Sequence, residues 1–145
     1  MNKSLLSLSL LLVLSSTAMA SAISDEALKY IPGGKVVSEK ADEVKVQGPN
    51  GTIIEIEFNR SGKFDEASGD SVEQDVFVPG NDILSLKEAV AALKKEGKSA
   101  VGEWSIDNSM IRGWYYEFEG FEEGKKMDYT IDGKSGKLLS VEIDD

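Results

Sequence analysis

The sequence contains neither His nor Cys. Ser-His-Asp and Cys-His catalysis are therefore excluded, along with the ordinary zinc and copper sites that draw on the same side chains. Carboxylates, Lys, Tyr and Ser remain. Glu117 and Glu119 stand at i and i+2 on one predicted strand face, which puts their carboxylates roughly 7 Å apart, within the range of paired glycosidase carboxylates. Alternation produces such a pair on any wet sheet face, and a glycosidase also needs a cleft that a small chain in two halves does not readily supply. The expectation is a protein without catalytic residues, not an enzyme.

The acidic runs Asp65-Glu66, Asp70, Glu73, Asp75 and Glu117 to Glu123 offer the oxygen ligands that calcium takes from loops. They lack an Asp-x-Asp-x-Asp-Gly spacing, so no metal ligand is assigned and no cofactor is expected. Binding of a cation such as calcium, or of a small ligand, is kept as the alternative function. Aromatic residues give the sharper candidate. Trp104, Trp114, Tyr115, Tyr116, Phe118 and Phe121 crowd into one short stretch. A strand with rings on both faces cannot bury them all in one core. Trp114, Tyr116 and Phe118 are expected to pack under a helix. Tyr115 then projects from the opposite face beside Glu117 and Glu119, with Phe121 near the strand end. Aromatic anchors rimmed by carboxylates suit a protein-binding surface, and Tyr115, Glu117, Glu119 and Phe121 form the candidate partner-binding set. The alternative use of Tyr115 and Phe121 is to cover the contact between two halves of the chain.

Charge and targeting narrow the partners. Residues 1–20 carry Lys3, an apolar-and-Ser run from Leu5 to Leu14, and Ala18-Met19-Ala20, which reads as a cleaved secretory signal peptide, too short in its apolar run for a membrane span. The expected location is periplasmic or secreted. Lys+Arg 16 against Asp+Glu 26 gives a net charge of −10, and removal of Lys3 makes the mature chain more acidic still. Nucleic acid and anionic membranes are poor partners for such a surface; an envelope or secreted protein fits better.

The elements that position these residues are readable from periodicity. Ser24-Asp25-Glu26 opens a short helix stopped by Pro32-Gly33-Gly34. Period-two runs follow around Val36, Val44, Ile54 and Ile56. From Asp65 the chain turns polar. Ser85 and Glu88 then form a capping box for a second helix whose stripe is Leu86, Ala89, Val90 and Leu93, closed by Gly97. Four alternating runs follow, 101–106, 112–118, 126–131 and 138–143, joined by connections short enough to make antiparallel neighbours. Each half ends in a Ser-Gly-Lys turn, Ser61-Gly62-Lys63 and Ser135-Gly136-Lys137. The predicted architecture is α+β, an internal duplication in which each repeat packs a helix on one face of an antiparallel β-sheet. Residues 21–70 are the first half, 71–84 an acidic connection and 85–145 the second half.

The order of the Ser85-x-x-Glu88-Ala89 helix, the Tyr115-Tyr116-Glu117-Phe118 strand and the Tyr129-Thr130-Ile131-Asp132-Gly133-Lys134-Ser135-Gly136-Lys137-Leu138 hairpin resembles the PepSY domain. The first half, through Ile31-Pro32-Gly33-Gly34-Lys35-Val36 and Ile54 to Phe58 before Ser61-Gly62-Lys63, is similar to tandem PepSY-like, β-lactamase-inhibitor-like exported proteins. The resemblance implies a fold of two PepSY-like repeats. It also implies a non-catalytic role, protein-binding or protease-inhibitor-like, with a protease among the candidate partners.

Overall fold

The computed structural model describes residues 22–145; the leader expected at 1–20 lies outside the described residues. Residues 22–30 form helix α1. Four strands follow, β1 Lys35–Glu39, β2 Glu43–Gln47, β3 Ile53–Phe58 and β4 Phe64–Gly69; then come helix α2 Leu86–Lys95 and strands β5 Trp104–Ser109, β6 Gly113–Glu122, β7 Lys125–Asp132 and β8 Leu138–Ile143. The eight strands make one sheet in sequence order, each antiparallel to the next. Among the described residues no helix is long and apolar enough to cross a membrane.

Each local signal has a physical cause. The Ser85 Oγ accepts a hydrogen bond from the Glu88 N–H at 3.2 Å, and the Glu88 carboxylate accepts one from the Ser85 N–H at 3.3 Å, which satisfies two otherwise orphaned helix donors. Leu86, Ala89 and Leu93 are fully buried. The two Ser-Gly-Lys turns are built alike. Asn59 Oδ1 accepts from the Ser61 and Lys63 N–H groups, and Asp132 Oδ1 from those of Lys134 and Ser135. Gly136 has φ of 76°, and a Cβ there would meet the Ala92 Cβ at 2.7 Å, so the β7–β8 turn sits directly on α2.

The two halves share one sheet, a point the sequence leaves open: β4 pairs with β5 through Glu66↔Asp107, Ala67↔Ile106, Ser68↔Ser105 and Gly69↔Trp104, and one hydrophobic cluster runs from Ile23 to Ile131. Other expectations are corrected. The polar stretch beginning at Asp65 starts inside a strand, because residues 64–69 pair on both sides. The segment 71–84 is more than a connection, since Val72, Asp75 and Phe77 are buried in it. Asp75 Oδ2 accepts from the Trp104 Nε1–H at 2.7 Å and from the Ser71 N–H at 3.3 Å. Ser24 is no cap, for the chain is already helical at 22 and Ser24 is buried. Trp114 stacks on Phe64 of the first half, with centroids 4.9 Å apart. A register irregularity between Thr130 and Ile131 sets Leu138 opposite Ile131, and Leu139, Val141 and Ile143 are left exposed on the edge strand.

Removing the cap and removing core volume should separate clearly in urea unfolding. Ser85→Ala should lower stability by about 1 kcal/mol, and Leu93→Ala by about 2–5 kcal/mol because a fully buried side chain leaves a cavity. Equal midpoints for Ser85→Ala and the parent would show that the capping box contributes nothing.

Candidate functional site

Strand β6 decides the site because its two faces differ in kind. Tyr116 and Phe118 are buried, with rings stacked at 5.6 Å, and the Tyr116 hydroxyl donates to the Leu84 carbonyl at 2.6 Å. The alternate positions Tyr115, Glu117, Glu119 and Phe121 point the other way, onto the face that neither helix covers, as strand alternation requires. Tyr115 lies between Asp107 and Asp132, Glu117 between Ser105 and Thr130, Glu119 beside Asp128, and Phe121 beside Lys126. The Arg112 guanidinium stands 5.7 Å from the Tyr115 ring centroid. Phe121 is 61 % exposed and does not cover the contact between halves. The structure thus brings all four predicted residues into one row along β6.

Register adds what the sequence did not reveal. Glu43, Glu57, Glu66, Asp107, Tyr115 and Asp132 oppose one another in turn across six adjacent strands. Single-strand alternation marks Glu57 as outward-facing, but only strand pairing shows that four acids meet. Beside this line lies an acidic groove of about 410 Å³, whose lining includes Ser68, Ser105, Glu117, Glu119, Asp128 and Glu142. Burial, then Asp107 and Asp128, push the Glu117 carboxyl up, while Arg112 opposes them.

Two acidic triads could in principle take a cation: Glu43, Glu55 and Glu57, and Glu119, Asp128 and Asp144. Lysines already serve both. Lys126 Nζ lies 3.2 Å from Glu119 and 2.7 Å from Asp144, while Lys45 Nζ is 3.6 Å from Glu55 and Lys40 Nζ 3.5 Å from Glu43. Glu119 is therefore held in an ion pair, unlike its neighbour Glu117, and the two are not an equivalent carboxylate pair.

Residues 83–142 match the PepSY family, described as the peptidase propeptide and YPEB domain. None of the curated proteins matches the chain. Among solved structures, the crystal structure of a candidate lipoprotein from Clostridium difficile 630 is 17 % identical, with 77 % of this chain and 84 % of that one covered and a TM-score of 0.39. The PepSY match spans α2, β5, β6, β7 and nearly all of β8, so it contains the whole row from Tyr115 to Phe121. Glu43, Glu57 and Glu66 precede it.

The line of acids meets the PepSY segment at Glu66, where a titration follows from the geometry. Burial foremost, then Asp107 and Glu57 facing it on β5 and β3, push the Glu66 carboxyl from 4.5 up to about 7. A proton is thus held longer in the folded state than in the unfolded one. Its stabilisation is complete below about pH 4.5 and is lost as pH rises towards 7. Glu66→Gln should therefore raise stability at pH 8, on the order of 1 kcal/mol once solvent screening of this partly exposed group is allowed for, and give no gain at pH 4. Urea midpoints at the two pH values check this; a variant that tracked the parent at both would place no such proton at Glu66.

Proposed function

We propose that the protein is an exported, non-catalytic binding protein. In this reading it engages another envelope or secreted protein in an inhibitor-like manner through Tyr115, Glu117, Glu119 and Phe121. The carrying observation is the row itself: two aromatic rings and two carboxylates in line on a sheet face that neither α1 nor α2 covers, with Phe121 largely in solvent. The rings would supply anchoring contacts and the surrounding acids would steer a basic partner and set its register. The family description, peptidase propeptide, supports a protease as the partner class. Export rests on the leader-like residues 1–20. The succession of a helix and four strands, occurring twice, supports the reading of two tandem PepSY-like halves, 21–70 and 85–145, joined by 71–84.

In a site-specific crosslinking experiment with a photoreactive group at position 121, the native extract should yield a defined adduct. The double variant Tyr115→Ala with Glu117→Lys should lose it, whereas Lys94→Glu, on exposed α2 surface, should keep it. Association should also slow as salt is raised. An adduct that survives the double variant unchanged would remove this face from the function.

A further inference from the structure

On the helix-bearing side, far from the row on β6 in chemistry, segment 72–78 and the first turns of α2 enclose a cavity of about 390 Å³, a size suited to small molecules. Its walls are mainly apolar, from Val72, Val76, Phe77, Val78 and Val90, with Glu73, Asp75, Ser85 and Lys87 completing the lining. Val76 and Val78 are exposed there, with no core role to explain them. One charged side chain among the lining residues is buried: Asp75, only 8 % exposed. Its Oδ2 is fixed by the Trp104 indole and the Ser71 N–H, while its Oδ1, also buried, accepts no hydrogen bond. Among the described residues no Lys or Arg lies within ion-pair distance of Asp75. A buried carboxylate oxygen without a donor is costly, and with Oδ2 taken by Trp104 the unmet acceptor is Oδ1.

We propose that this cavity binds a small amine, with the protonated nitrogen donating to Asp75 Oδ1 and a short aliphatic or aromatic body lying against the valine and Phe77 walls. A charge-assisted N–H to carboxylate bond is stronger than one from a neutral hydroxyl. Glu73 and Lys87 in the lining carry opposite charges that offset one another, so the choice of a cation rests on Asp75. The site is independent of the row on β6 and shares none of its residues.

Titration of the isotopically labelled full chain with hexylamine, observed by NMR, tests this directly, using the Trp104 indole N–H and the methyls of Val76, Val78 and Val90. Hexylamine should give saturable shifts at these signals, and hexanol and hexanoate should give weak ones or none. Asp75→Asn retains an oxygen for the Trp104 indole and places an amide N–H₂ where the ammonium would donate, so affinity should fall by about tenfold or more. Val76→Lys, placed at an exposed position, should weaken hexylamine binding as well, and it decides the matter if Asp75→Asn fails to fold. Equal shifts from hexanol, no saturable shift with hexylamine, or affinity unchanged in a folded Asp75→Asn or in Val76→Lys would overturn the proposal.

Discussion

Everything in this molecule depends on the pairing of β4 with β5. Each set of four strands would by itself leave two open edges, and unpaired edges invite association with other chains. Joining Phe64–Gly69 to Trp104–Ser109 removes two of those edges and makes one sheet from two halves. The pairing works because β4 offers small residues where β5 offers large ones. Ala67 faces Ile106, and Gly69 faces Trp104. A Cβ on Gly69 would lie 2.2 Å from Asp75 Oδ2 and 2.6 Å from Trp104 Nε1, so glycine is the residue that lets the indole reach its carboxylate. The seam and the Asp75–Trp104 hydrogen bond are one piece of packing.

That seam also explains the charge on the open face. The buried side of the sheet carries most of the apolar residues of the central strands, so most of their polar residues are gathered on the other side. Like charges placed directly opposite on neighbouring strands are destabilising, yet Glu66 faces both Glu57 and Asp107. The apolar rungs on the reverse side of the same strands hold the acids in register against that repulsion. Proton retention at Glu66 lowers the local charge further. Away from the seam, lysines do the same work, as Lys126 shows between Glu119 and Asp144. Among the described residues Glu117 has no lysine within ion-pair distance, and only the more distant Arg112 offsets its acidic neighbours.

Much of this was legible in the sequence, for identifiable reasons. The capping box at Ser85 and the Leu86-Ala89-Leu93 stripe are local, and so were read correctly. Both Ser-Gly-Lys turns were marked by residues that tolerate positive φ, as found at Gly62 and Gly136. The outward set on β6 followed from alternation between Tyr115 and Phe121. What was missed is long-range. The β4–β5 register, which joins residues about 40 apart, leaves no trace in the periodicity of either strand. Leu139, Val141 and Ile143 look like a core stripe, but among the described residues nothing covers the edge strand beyond them. Ser24 has the chemistry of a cap, but its hydroxyl is buried within a helix that is already formed at 22.

The segment 71–84 shows most clearly why composition misleads. Its acids and turn residues look like a solvated linker, and by hydropathy Asp75 counts with Asp70 and Glu73. In the fold the three have opposite fates: Asp70 and Glu73 are exposed, while Asp75 is buried and holds Trp104. Val72 and Phe77, spaced around it, enter the core and draw the segment down onto the end of the seam. The Val78 N–H donates to the Tyr30 carbonyl, and the Leu86 N–H to that of Phe77, so the strap ties α1 to α2 across the junction of the halves. A stretch that reads as the loosest in the chain therefore carries hydrogen bonds that fix both helices, and its one buried carboxylate is set by packing partners that lie far from it in sequence.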